Sequence, residues 1–586
     1  MCRDIKTRIE KAVVKALGEA FGDVGKGAKP MVTNATRAEF GDYQCNAAMG
    51  LAKKLKQKPR DVAGKMLDAL DLSSFCETPS IAGPGFLNIK LKNSFIEDRL
   101  LQMAKDPDRL GVPKKEAKRI VIDFSSPNIA KEMHVGHLRS TMIGESLART
   151  LEFIGYDLLR LNHVGDWGTQ FGRLILYLKE VAPEALTEGG QRDLGDLVEF
   201  YKKASKRCET DEEFNENARK EVVKLQGGDE ESLKAWNLLC DQSRIEFQKI
   251  YDMLSVTLIE RGESYYNAKL PGVIEELRDK NLIAVDDGAT VVYLEKFKNR
   301  DGNPQPLLVQ KRDGGYMYAT TDLAAIQNRT LDEKAERVLY VVDAGQGVHF
   351  EQVFQVARRG EMYPYETASL EHVPFGLVLG EDGKKLRTRA GDTIKLKDLL
   401  TDSIAAAESK FRDRLSEEKR EETEEYIKHV GEVIGLSAVK YADLRTNRTS
   451  DYRFSFERML ALDGNTAPYM LYAYSRIQAI FRKLGIEGEP PVSPLKLEEP
   501  QEAALGRMLI RLPEVIADVD HMLMPHILCD YLFELSQRFN QFYETCSIVG
   551  AGSEDIRSSR ITLADLTAKD IRICLHMLGI PTLDRI

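Results

Sequence analysis

Between Arg119 and Val164 the chain runs from a β-branched segment through a loop into a helix and back into a second apolar strand, and this order constrains the fold more than any other feature. The first segment, RIVIDFSS, ends in small polar residues. A helical pattern begins near His137 and runs to Gly155, and YDLLRLNHV then reads as a second buried strand. A strand, helix and strand within about 45 residues form a βαβ unit with parallel strands. Further strands are predicted at Ala289–Leu294, Arg337–Ala344 and Phe375–Gly380. They alternate with helical stretches, as in a doubly wound α/β sheet.

The 586 residues exceed what one core usually holds, so several domains are expected. Residues 1–104 read as a small α+β unit and Lys105–Arg119 as a polar linker. The α/β domain spans 105–393, with a polar helical insertion at about 180–244, and 394–586 reads as all helix. No apolar run reaches the ~20 residues of a membrane span, so no membrane partner is expected. The eight cysteines are scattered without C-x-x-C spacing, which disfavours a zinc knuckle or redox dithiol and fits reduced thiols in a cytosol-like compartment. The net charge of -9 argues weakly against a nucleic-acid partner, but a local basic face can sit on an acidic body.

The densest chemical signal is DFSSPNIAKEMHVGHLRS, Asp123 to Ser140. His134 and His137 flank Gly136 between strand end and helix start. Glycine there allows close approach of a ligand, and a helix N-terminus supplies unpaired N–H groups. Imidazoles at that mouth can donate to phosphate oxygens, and Lys131 adds a fixed positive charge. A lone H-x-G-H is as often surface decoration. Its place just past the carboxyl end of the first strand is where open α/β sheets bind ligands. No P-loop competes: Gly380 to Lys384 and Gly22 to Lys26 both lack its spacing.

PNIAKEMHVGH resembles the HIGH signature of class I aminoacyl-tRNA synthetases in the form used by the arginine enzyme. LNHVGDWGTQFG, DGGYMYATTDLAA, YVVDAGQGVHF, KYADLRTNR and GNTAPYMLYAYSR resemble the same family, in order along nearly the whole chain. The resemblance implies a Rossmann-like catalytic domain with a small α+β N-terminal domain and an all-α C-terminal anticodon-binding domain. It implies an arginine–tRNA ligase that uses ATP, with Mg²⁺ carried by the nucleotide. Tyr318 and Asp322 match the residues that hold the arginine side chain, and their spacing of four puts them on one helix face. Asp123 and Ser125 fall in the same pocket. Asn128 and Gln346 match residues at the α-amino end, and His134 lies against both substrates. A carboxylate pair suits a guanidinium, whose planar fork is best met bidentately.

One departure concerns the second class I signature, KMSKS. The matching stretch is Lys385-Leu386-Arg387-Thr388-Arg389, with threonine where the second lysine is expected. Lys131 is therefore expected to join His134, Gly136 and His137 at the ATP phosphates, with Lys385 and Arg389 in support. Phe86 and Asn88 match tRNA-elbow contacts of the first domain. Tyr469, Tyr472 and Arg476 match the anticodon-contacting face, although their spacing is also that of a core stripe. The partners implied are tRNA(Arg), L-arginine and ATP, the expected state is a monomer, and the expected place is the cytoplasm. The alternatives are a non-catalytic tRNA-binding relative and another class I nucleotidyl-transferring enzyme.

Overall fold

The computed structural model describes residues 5–35, 37–187, 197–298, 301–380, 382–384 and 394–586. These form two compact units, one of residues 116–460 and one joining residues 1–115 to 461–586.

The first unit is built on a five-stranded sheet. Its strands are β1 (Arg119–Asp123), β2 (Asp157–Asn162), β3 (Ile259–Glu260), β4 (Arg337–Tyr340) and β5 (Ser369–His372), in the spatial order β5-β4-β1-β2-β3. Every pairing is parallel. β1 is central and covered on both faces, which is why its sequence is an unbroken apolar run ending in Asp123. Helix α1 (Val135–Ile154) connects β1 to β2; helix α2 (Glu230–Leu254) precedes β3; α3 (Tyr318–Gln327) precedes β4, and α4 (Gly347–Arg359) joins β4 to β5. Val121, Leu161, Leu323, Val338 and Val353 share one core and are completely or almost completely buried. The chain winds one way through β2 and β3 and the other way through β4 and β5. The order thus reverses between β1 and β4, and the crevice opens at their carboxyl ends.

The predicted βαβ unit is present, and two strand assignments need correction. Ala289–Val292 lies in a separate antiparallel sheet with Ala284–Asp286 and Leu307–Gln310. Of Phe375–Gly380, only Val378–Leu379 is strand, and it pairs with Tyr452–Arg453 outside the main sheet. The edges β3 and β5 went unpredicted because they are short and polar. In β5, Glu371 is recruited by Arg337 of β4 at 2.6 Å, a pairing that exists only once the strands are adjacent.

The insertion is helical as predicted, at Leu197–Thr210, Glu212–Gln226 and α2. Helices Leu396–Glu418 and Glu424–Leu444 belong to this same unit. They pack closely because Gly431 and Gly435 have no side chain: a Cβ on Gly435 would sit 2.7 Å from the Ile404 backbone. Arg139 of α1 meets Asp443 at 3.3 Å in a fully buried ion pair.

In the second unit, a four-stranded antiparallel sheet (Val32–Asn34, Tyr43–Cys45, Phe86–Ile89, Ser80–Ala82) is joined to C-terminal helices. These include Pro500–Leu509, Leu512–Met522, α5 (Ala467–Lys483), α6 (His526–Thr545) and Glu554–Met577. The Tyr43 hydroxyl donates to Glu514 Oε1 at 2.6 Å, and Arg507 pairs with Asp42 at 3.1 Å. The sequence divides at 104/105 and 393/394. By packing, 1–115 group with 461–586; the partners of an amphipathic face are not encoded in its periodicity.

Candidate active site

The loop after β1 turns through left-handed backbone at Ser125 (φ 75°), Ser126 (φ 47°) and Ala130 (φ 60°). Each such non-glycine residue is strained by about 1–3 kcal/mol and must be held by its surroundings. Here the holding contacts are visible. The Ser125 N–H donates to Ser140 Oγ at 2.9 Å, and that hydroxyl donates on to the Val341 carbonyl at 2.7 Å. The Ser125 hydroxyl lies 2.9 Å from the Tyr251 hydroxyl, and the Ser126 N–H donates to Asn162 Oδ1 at 3.0 Å. Ser140 and Tyr251 thus tie α1 and α2 to the loop. Ser125 is buried within this network, whereas Asn128, at the tip, is exposed.

α1 then opens on its own imidazoles. The Gly136 N–H donates to His134 Nδ1, and the His134 N–H donates to His137 Nδ1, both at 3.0 Å. Since each Nδ1 accepts, each neutral ring carries its proton on Nε2 and presents it as a donor. The rings lie 4.1 Å apart. Burial, then His134 and Lys131, pushes the His137 pKa down to about 3, so this ring is neutral at physiological pH. A Cβ on Gly136 would lie 2.8 Å from the His134 ring, so glycine makes room for the histidine's own capping fold.

Lys131 is exposed, with Nζ 5.9 Å from the centre of the Tyr201 ring of the insertion. Beyond the second signature stretch, Lys395 pairs with Glu132 at 2.7 Å, and the Leu396 N–H donates to the Met133 carbonyl at 2.9 Å. Lys395 and Leu396 are thereby anchored to the HxGH segment. Lys385, Thr388 and Arg389 themselves lie outside the described residues.

The carboxylates separate into two kinds. Asp123 is buried and ion-paired with the buried Arg329 at 2.8 Å, and its other oxygen accepts from Ser126 at 3.2 Å. Its charge is therefore met within the fold. Asp322 on α3 accepts from, or shares a proton with, His349 Nε2 at 2.6 Å, and this contact raises the histidine's pKa. Glu263 carries no cationic partner among the described residues. Burial first, then the neighbouring Asp166 and Asp322, raises its pKa to about 8. Tyr318, first residue of α3 and 63 % exposed, feels the Glu263 carboxylate, which together with partial burial raises its own pKa. Gln346 lies exposed at the start of α4, on the turn that follows β4. Glu263 and His349 escaped the sequence reading. One sits in the polar stretch GESYYN and the other inside a motif read for its glutamine, so neither spacing gave a signal.

In the second unit, Asn88 accepts from Gln44 at 2.9 Å across the sheet, and Phe86 is half-buried on the same strand. Tyr469, Tyr472 and Arg476 lie off the buried stripe of α5, which is formed by Met470, Leu471, Tyr474 and Ile477. Arg476 donates to Asn540 at 2.5 Å, and Asn540 donates to the Tyr469 hydroxyl at 2.8 Å. Arg476 also stands 5.4 Å over the Tyr543 ring. Asn540 and Tyr543 come from α6 and had no motif to mark them.

A parallel sheet of this order, with a histidine-capped helix at its switch point, has the ligand crevice of an open α/β fold, and sequence comparison makes it a class I tRNA synthetase catalytic unit. The family model for the class I (R) tRNA synthetase catalytic domain matches residues 100–456. The models for the arginyl tRNA synthetase N-terminal domain and the DALR anticodon binding domain match 4–91 and 470–586. The arginine–tRNA ligase of Nostoc punctiforme is 55 % identical over 583 residues, covering 99 % of both chains. That of Picosynechococcus is 55 % identical over 586 residues, covering 100 % of both. The arginyl-tRNA synthetase of Plasmodium falciparum superposes with a TM-score of 0.85 at 31 % identity, over 100 % of this chain and 99 % of the other. The Thermus thermophilus enzyme shares the fold with a TM-score of 0.79 at 22 % identity, over 99 % and 100 % of the two chains. The chain belongs to the arginyl-tRNA synthetase family.

Proposed function

We propose that this chain carries out arginine–tRNA ligation by setting an acidic pocket for the guanidinium beside a row of neutral and cationic donors for the ATP phosphates. The observation that carries the reading is Glu263, buried within electrostatic reach of Asp322 and without a cationic partner among the described residues. A guanidinium is the group that such a pocket lacks, and its fork can bridge both carboxylates and the Tyr318 hydroxyl. Asn128 and Gln346 hold the α-amino end. Asp123 acts through Arg329, fixing the pocket floor rather than touching substrate.

The arginine carboxylate attacks the α-phosphate of ATP, the bond to the β-phosphate breaks, and pyrophosphate leaves. His134 and His137 donate from Nε2 to the phosphate oxygens as charge grows on them, at a helix start that favours anions. Lys131 supplies the positive charge that Thr388 does not, with Lys385 and Arg389 in support. The 2′-hydroxyl of the terminal ribose then attacks the adenylate carbonyl, and AMP departs. Mg²⁺ carried by the nucleotide would neutralise phosphate charge. Among the described residues no group of three His, Cys, Asp or Glu side chains is placed to cage an ion.

In this reading residues 1–104 hold the tRNA elbow through Phe86 and Asn88, and the C-terminal helices hold the anticodon through Tyr469, Tyr472 and Arg476. Asn540 and Tyr543 complete that last surface. The protein acts as a monomer in the cytoplasm, and among the described residues no helix is long and apolar enough to cross a membrane.

The test is arginine-dependent charging of tRNA(Arg) by the full chain. Asp322→Ala is expected to lower kcat/KM for arginine by about 100-fold, roughly 3 kcal/mol, with the KM for ATP little changed. Lys131→Ala should reduce ATP–pyrophosphate exchange in the presence of tRNA. Near-normal values would overturn the respective assignments.

A further inference from the structure

Arginines in this acidic chain are commonly met by the fold: Arg139 by Asp443, Arg160 by Glu145 and Glu152, Arg412 by Glu408 and Glu424. Arg453 and Arg458 are not. Neither side chain has a hydrogen-bond or ion-pair partner among the described residues. Both line one cleft of the catalytic unit, of about 190 Å³, together with Arg445, Thr446 and Ser455. No lining residue is acidic. The Ser455 hydroxyl makes no capping bond to the short helix it precedes and adds a neutral donor.

The cleft is built on a fixed frame. Arg453 is held by the strand pairing of Tyr452–Arg453 with Val378–Leu379, and the buried Tyr452 and Phe454 point their rings away from solvent. Tyr452 stacks beneath the Arg139 guanidinium, whose carbon lies 5.2 Å from the ring centre. The Arg453 and Arg458 guanidiniums on one cleft repel one another unless an anion joins them, and guanidinium forks match phosphate oxygens. With both rings buried, no aromatic face is left on which a free nucleotide's base could stack. This favours a phosphate carried on a polymer.

We propose that the Arg453–Arg458 cleft binds a phosphate of the tRNA sugar–phosphate backbone, a contact that adds affinity without reading a base. The proposal rests on the tRNA-ligase reading above.

The test uses the full chain, with Arg453→Gln, the double variant Arg453→Gln/Arg458→Gln and the charge-preserving double variant to lysine. tRNA(Arg) binding is measured over a salt series, and the KM for ATP in aminoacylation at saturating tRNA. Both positions are exposed, so unfolding midpoints should match the unsubstituted chain. For the double glutamine variant we expect affinity to fall about tenfold, and the slope of log K against log salt to become shallower by about 1–2. The lysine variant should restore the slope, the KM for ATP should hold, and a non-cognate tRNA should lose affinity in the same ratio. Unchanged affinity and slope in a folded double variant would overturn the site. So would a raised KM for ATP with unchanged tRNA binding, which would assign the cleft to nucleotide phosphate. Failure of the unsubstituted chain to bind tRNA would instead overturn the underlying reading.

Discussion

Glu263 is where proton and substrate compete. Burial, then Asp166 and Asp322, holds its pKa near 8, so at neutral pH in the free protein it is mostly protonated. A guanidinium favours the carboxylate, so arginine binding must release that proton, and affinity rises as pH approaches and passes about 8. The expected result is a KM for arginine that falls with rising pH, by up to about tenfold per unit below the pKa. Glu263→Gln should flatten that dependence at a weakened KM. Steady-state kinetics across the range check it, and a profile unchanged by the substitution would remove Glu263 from the pocket. Tyr318, Asp322 and Gln346 could be proposed from the sequence because they sit in recognisable strings. Glu263 was not, because a glutamate in a polar stretch looks solvated until Asp166, Tyr318 and Asp322 are folded around it.

At the scale of the element, α1 joins the site to the core. Its first turn is capped by His134 and His137, and one face carries Ser140 and Thr141 toward the loop. Ten residues after His134, Gly144 lets the Phe124 ring lie against the helix, since a Cβ would stand 2.3 Å from that ring. Gly144→Ala, although it favours helix locally, is expected to lower stability by about 1–3 kcal/mol through overpacking. It should also reduce kcat by shifting the loop that Phe124 opens. Chemical unfolding with charging assays would show this, and a stabilised variant would contradict the packing. The strand–loop–helix–strand order was readable because apolar periodicity is local. The edge strands β3 and β5 were not. Their sequences are short and polar, and their partners supply the reason they are strands.

At the scale of the molecule, Tyr43 and Glu514 lie 471 residues apart and share a buried 2.6 Å hydrogen bond. The Lys6 N–H donates to the same carboxylate oxygen at 3.0 Å. Glu514→Ala leaves a buried hydroxyl without its acceptor, at a cost of about 1–3 kcal/mol. The expected outcome is a lower unfolding midpoint for the unit of residues 1–115 and 461–586, and faster proteolysis between its two segments. Arginine activation, which resides in residues 116–460, should be affected less than tRNA affinity. Equal loss of both would argue against this division. The sequence by itself determined the parallel α/β core, the place of His134 and His137 at its switch point, and the family, because apolar period and motif order are local properties of a chain. Only the tertiary structure decided that Asp123 is spent on Arg329, that Gly136 makes room for the His134 ring, and that Glu263 lacks a cation among the described residues. It also brought Arg453 and Arg458 to one cleft. Charge balance depends on which side chains meet in space, and no spacing along the chain encodes that.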